Sequence, residues 1–157
     1  MAGDALSTWT FGSRVTLVGD AAHAHGGAFA TGGSLALDDA FALGLAFRYV
    51  AESLSTPFHF SIDHIKRVLK LFSNTRKPHT DRLMSIVNTQ LSNKALQLTD
   101  TEDEESILLS RIKNRPNTEW LYEHDVEAAF AAAVEQLEMR QSAEDTSPLQ
   151  LLGKPDG

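Results

Sequence analysis

Val15-Thr16-Leu17-Val18-Gly19-Asp20-Ala21-Ala22-His23-Ala24-His25 decides the reading of this chain. An apolar, β-branched run suits a strand, here expected over Val15 to Val18 and covered on both faces. Gly19 supplies the backbone freedom to turn at the strand's carboxyl edge, and Asp20 places a carboxylate there. In open α/β sheets that edge is where ligands bind.

Working outward, Gly26, Gly27, Gly32 and Gly33 follow closely, and Ser34 opens an apolar stretch from Leu35 to Val50. Glycines let backbone approach a ligand, and a helix amino end presents free N–H groups and the positive end of its dipole. Strand, acid, glycine loop and helix in that order point to a cofactor site. The competing reading of Gly-Asp is a plain turn in which the side chain caps nearby N–H groups.

The stretch resembles the second FAD motif of the FAD-dependent aromatic-ring monooxygenases, specifically the salicylate hydroxylase-like, fungal members. That motif reads G-D-A-A-H-A, then a glycine-rich loop, then N-x-A-L-E-D-A. Gly19 to Ala24 is identical to its first part, Gly32 falls on the last loop glycine, and Leu35-Ala36-Leu37-Asp38-Asp39-Ala40 follows the helix start. Trp9 and Arg14-Val15 fit the family's lead-in, and the Trp120-Leu121-Tyr122 region resembles its C-terminal tail. Gly26 and Gly27 stand where many members carry proline, Thr31 replaces a common glutamine, and Ser34 replaces asparagine.

The resemblance implies that Gly19, Asp20, Gly32, Gly33 and Ser34 bind FAD, with Asp20 on a ribityl or nearby hydroxyl. The loop and helix start would face the pyrophosphate and the carbonyl side of the flavin ring. It also implies monooxygenation: NAD(P)H as reductant and one oxygen atom passed to an aromatic or polyketide ring, as in secondary metabolism. The cofactor does the chemistry, and no catalytic side chain is assigned. His23 belongs to the shared signature as a structural residue holding the loop, whereas His25 faces either a cavity or solvent.

These hydroxylases open with a βαβ unit carrying G-x-G-x-x-G, a motif this sequence lacks. The fold expected is mostly α with a short β element, a C-terminal fragment of an α/β FAD-binding monooxygenase fold. FAD is not expected to be retained by the chain alone, because the pyrophosphate and adenosine contacts are missing, and independent activity is not expected either. Partner strands for Val15 to Val18 are left to another polypeptide that completes the sheet. Two alternatives stand beside the truncated monooxygenase: a non-catalytic remnant or interaction subunit, and a cofactor-free isomerase or cyclase derived from the flavoenzyme fold.

The organisation expected is a partial FAD-binding segment over 1–53, a helical region over 54–140 and a flexible tail over 141–157. In the middle region, Ile62, Ile65, Val68, Leu69 and Phe72 recur at helical spacing after a Ser61 cap. Lys66, Arg67, Lys70, Arg76 and Lys77 read as a solvated basic face, and Pro78 is expected to end or kink the helix. Leu83, Ile86, Val87, Leu91, Leu96 and Leu98 then suggest a further helix, the acidic run 99–105 a solvated connector or the start of a helix, and Glu119 to about Arg140 a last long helix capped by Asn117 or Thr118.

With a hydrophobic fraction of 42% over 157 residues, the chain has the composition of one globular domain. A formal charge of −7 argues against nucleic acid or anionic lipid as partner. There is no cysteine, so disulfides and thiolate metal sites are excluded, and no metal site is expected from the acidic run. With no signal-like start and no apolar run of membrane-spanning length, a cytoplasmic location is expected.

Overall fold

A computed structural model describes residues 5–56, 59–97 and 117–145, with isolated positions 105, 109, 112 and 113. The order is β1 (Thr10–Phe11), β2 (Val15–Thr16), two 3-10 turns (Gly19–Ala21 and Ala28–Ala30), α1 (Gly32–Glu52), α2 (Ile62–Gln97), α3 (Glu119–Tyr122) and α4 (Val126–Asp145). The protein is thus mostly helical with a short β element, as its sequence implies.

The two strands form an antiparallel hairpin in the register Thr10 to Thr16 and Phe11 to Val15. Gly12, at φ +61°, makes the left-handed turn between them, and the Leu17 amide extends the ladder to the Trp9 carbonyl. The expected strand over Val15 to Val18 is therefore shorter. Nor is it covered on both faces: Val15 is 55% and Val18 45% exposed.

Helices α1, α2 and α4 pack on one another around Ala42, Leu45, Ala46, Val50, Val68, Leu71, Phe72, Val126 and Leu137. Ala42 and Ala46 are fully buried, and their small side chains let the helices approach closely. Trp9 drops from the hairpin into this core, with its ring centroid 5.9 Å from that of Phe72. A second cluster, Leu35, Leu83, Val87 and Leu121, lies beside the glycine loop and takes in Phe29 and Trp120.

Several sequence expectations are corrected. Helix α1 begins at Gly32 with Thr31 as its N-cap, so Ser34 lies inside the first turn, where its Oγ donates to the Thr31 carbonyl at 2.9 Å. The apolar stretch from Leu35 to Val50 is not buried throughout: Leu37 is 72% exposed and Phe41 is exposed too. Helix α2 runs through Pro78 as one 36-residue element instead of ending there. An internal proline costs about 3 kcal/mol, yet Thr80, Leu83, Met84 and Val87 beyond it are buried, and their packing outweighs the lost bond.

The last long helix is two. Asn117 Oδ1 accepts from the Glu119 amide at the start of α3, and Asp125 Oδ1 accepts from the Ala128 amide at the start of α4. Helix α4 also extends to Asp145, so the expected flexible tail begins with helical residues; its part over 146–157, like the acidic connector at 99–104, lies outside the described residues.

Ser61 does act as the cap of α2. Its Oγ accepts from the His64 amide at 3.2 Å, while its own amide donates to His64 Nδ1 at 3.1 Å. Ser61→Ala is expected to lower stability by about 1 kcal/mol, read as a shift in urea midpoint at constant slope.

Candidate functional site

Gly19 adopts φ +57°, a left-handed conformation that a side chain disfavours, and turns the chain into the 3-10 turn Gly19–Ala21. This turn is fastened from below by Asp39 of α1, which is fully buried. Asp39 Oδ2 accepts from the Gly19 amide at 2.8 Å and from His23 Nε2 at 2.9 Å, and Oδ1 accepts from Arg76 Nε at 2.9 Å. Arg76, also fully buried, reaches the Leu35 carbonyl and Asp38 through Nη2, each at 3.5 Å. Burial raises the Asp39 pKa, but the bonds from His23, Arg76 and Gly19 outweigh it and hold the carboxyl below its ordinary value.

Arg76 departs furthest from the solvated basic face expected for α2: it is an interior counter-ion, while Arg67, which lies over the Tyr49 ring, and Lys77 are half-buried. Asp39, read from sequence only as part of the motif stretch after the helix start, is the acid at the centre of the tie. Neither was assigned to the site from sequence, although the spacing held the signal. Asp39 follows Leu35 by four residues and precedes Ala42 and Ala46 on the buried stripe of α1, and Arg76 lies between Phe72 and Leu83 on that of α2.

His23 is 1% exposed and packs on Trp9, at 5.9 Å between ring centroids. It holds the loop, as expected. His25, for which solvent exposure was one reading, is 3% exposed and stacks on His23 at 6.1 Å and 15°.

The residues expected to bind FAD gather at one end of α1. Asp20 is exposed, and its Oδ1 lies 3.6 Å from where a Cβ on Gly32 would stand. Gly32 is at the first position of the helix, where backbone N–H groups lack intrahelical partners. Gly33 is exposed with nothing within 4 Å of its own Cβ position, and the exposed Ser34 follows. Gly19 is buried beneath this surface, serving the turn. The loop between is strained: Gly26 and Gly27 have positive φ, and so do Phe29 (61°) and Ala30 (55°). Non-glycine residues in that region cost of order 1 kcal/mol each and cluster where function over-determines the backbone.

A second histidine cluster lies on α2. His79 stacks on His124 at 3.8 Å and meets the Trp120 ring edge-on at 5.1 Å, while Arg82 sits 4.1 Å over Trp120. Among the described residues, no three His, Asp or Glu side chains gather into a metal-sized cluster, and no helix is long and apolar enough to cross a membrane.

Residues 1–54 match the family model described as FAD binding domain. The match takes in the hairpin, the Gly-Asp turn, the glycine loop and α1. No curated protein and no solved structure matches the chain.

Proposed function

We propose that the surface formed by Asp20, Gly32, Gly33 and Ser34 binds the ribityl and ring-carbonyl side of FAD, and that the chain is part of a flavin-dependent monooxygenase. The observation that carries this reading is the exposed Asp20 carboxylate beside the amino end of α1, on a turn anchored by a buried ion pair. A carboxylate accepts hydrogen bonds from sugar-alcohol hydroxyls, and the free N–H groups of a helix start favour phosphate or carbonyl oxygen. The residues present fit the group: glycines leave the helix start open, and His25 holds two buried ring nitrogens without partners, of which Nε2 lies toward the same corner.

Bound FAD would supply, with NAD(P)H as reductant, transfer of one oxygen atom from O2 to an aromatic or polyketide ring of secondary metabolism. This chain's part is to hold and orient: Asp20 grips, Gly19 and His23 set the turn, and Asp39 with Arg76 locks it to two helices. Residues 1–53 carry the flavin contacts and 54–140 the helices that brace them. The location proposed is cytoplasmic. Binding by the chain alone is expected to be weak, because nothing in it supplies a G-x-G-x-x-G turn for the pyrophosphate.

Asp20→Ala is expected to weaken riboflavin and FAD binding about tenfold or more, measured by fluorescence titration, without lowering the thermal midpoint, since Asp20 is exposed. Equal affinity for native and variant would remove Asp20 from the site. A second reading, association with another polypeptide that completes the sheet, is favoured by the exposed Phe11, Val15, Val18 and Leu37. Light scattering and pull-down separate it from flavin binding.

A further inference from the structure

The basic run of α2 is not all accounted for by ion pairs. Lys66, Lys70, Ser73, Asn74 and Lys77 recur at three- and four-residue spacing, so they share one face of the helix. Two clefts meet on that face. One, of about 270 Å³, lies between the chain entering the hairpin, at Thr8 and Thr10, and the side chains of Lys66, Lys70, Ser73 and Asn74. The other, of about 380 Å³, continues from the same Ser73 and Asn74 to Lys77, Asp81 and Arg140, between α2 and α4.

The chemistry of the first cleft is one-sided. Among the described residues no carboxylate lines it, and Lys70 has no acidic partner, whereas Asp63 holds Lys66 from the preceding turn at 2.9 Å. Two ammonium groups four residues apart repel one another, and an anion between them relieves that repulsion. Ser73 and Asn74 are half-buried, and their side chains make no hydrogen bond among the described residues. By contrast, Thr75, Thr80 and Thr89 of the same helix donate to the carbonyls one turn back. An ammonium group, a hydroxyl and an amide therefore face one cleft as uncommitted donors. In the second cleft Asp81 neutralises Lys77, which leaves Arg140 as the cation without an acidic partner among the described residues.

We propose that the first cleft binds a phosphate group through Lys70, Ser73 and Asn74, with Lys66 adding charge, and that the second takes the body of a small phosphorylated molecule. A phosphate monoester carries roughly −1.5 to −2 charges at pH 7 and three terminal oxygens that accept, which suits a site built of donors alone. The formal charge of −7 repels long polyanions, so the lysine pair selects a molecule with one or two phosphates over nucleic acid. None of these residues belongs to the Asp20 surface, and the proposal stands or falls apart from the flavin reading.

Inorganic phosphate and adenosine 5′-diphosphate are titrated separately into the full chain at constant ionic strength and followed by amide NMR shifts, in the native protein, Lys70→Gln, Ser73→Ala and Arg48→Gln. Lys70 is exposed and the Ser73 hydroxyl makes no bond, so the fold accepts both changes, while Arg48→Gln removes one exposed positive charge from α1 as a control. Saturable shifts are expected at Lys70, Ser73 and Asn74, with phosphate affinity about tenfold lower in Lys70→Gln, severalfold lower in Ser73→Ala and unchanged in Arg48→Gln. The diphosphate should also move Gln136 and Arg140 and bind more tightly than phosphate. Tighter binding of phosphate with no shift at Arg140 assigns the first cleft to the free ion and strikes out the second. Equal affinity in the native protein and Lys70→Gln, or shifts that rise without saturating, overturn the proposal. So do shifts centred on Gly32 to Ser34, which put the phosphate at the start of α1 instead.

Discussion

Replacing Asp39 with alanine is expected to destabilise the protein by about 3–5 kcal/mol, because the change leaves the Arg76 guanidinium fully buried with its principal counter-ion gone. The same change removes the acceptor of the Gly19 amide and of His23 Nε2, so the Gly-Asp turn loses its anchor as well. Asp39→Asn should lose nearly as much, since it keeps the shape but not the charge. The double change Asp39→Leu with Arg76→Met removes both charges and should recover a large part of the loss, because apolar groups of similar volume pack in their place. Urea unfolding followed by circular dichroism gives all three values. A cost below 1 kcal/mol for Asp39→Ala would show that the turn is held by something else.

Stability is also expected to fall steeply in mild acid. His79 is 8% exposed, and its Nε2 lacks a partner. Burial first, then the nearby His124, Arg76, Arg82 and His23, push its pKa from 6.5 down to about 3. Burial and Arg76 lower His124 too, against the opposing pull of Asp38 and Asp125. The folded state therefore keeps His79 neutral where the unfolded chain takes up a proton. This contribution is fully present above pH 6.5 and is lost as the pH falls toward 3.

At one pKa unit per 1.4 kcal/mol, the loss by pH 4 is about 3 kcal/mol from this ring alone. Urea midpoints between pH 7 and pH 4 should show it, and His79→Phe, which keeps an aromatic ring against His124 and Trp120, should flatten the profile over that window. The Asp39 carboxyl, held below its ordinary value, loses its share only below that window and leaves the slope between pH 7 and pH 4 to the histidines. Parallel profiles for native and variant would refute the assignment.

Much of this was legible in the residues. The Gly-Asp turn, the glycine loop and the helix after it follow from local chemistry, since a left-handed glycine and an open helix start are written in residue type. His23 was recognisable as a holder of the loop through its motif. The strand was overestimated because apolar β-branched residues promise burial that only partner strands deliver, and here Val15 and Val18 face outward. Pro78 misled because propensity is local, while the packing of Leu83 and Val87 that carries α2 past it is not. Arg76 misled in the same way: an arginine in a basic run reads as solvated, and only the arrival of Asp39 from a helix 37 residues earlier makes its burial tolerable.

That pairing separates where the flavin-type signature is written from where it is supported. Residues 1–54 contain the signature, but the positive charge that neutralises its interior acid comes from position 76. A transplant of the first segment onto another scaffold would carry an orphan anion with it. Any hybrid built from this protein has to move the arginine's helix along with the loop, or replace Asp39 by an uncharged group.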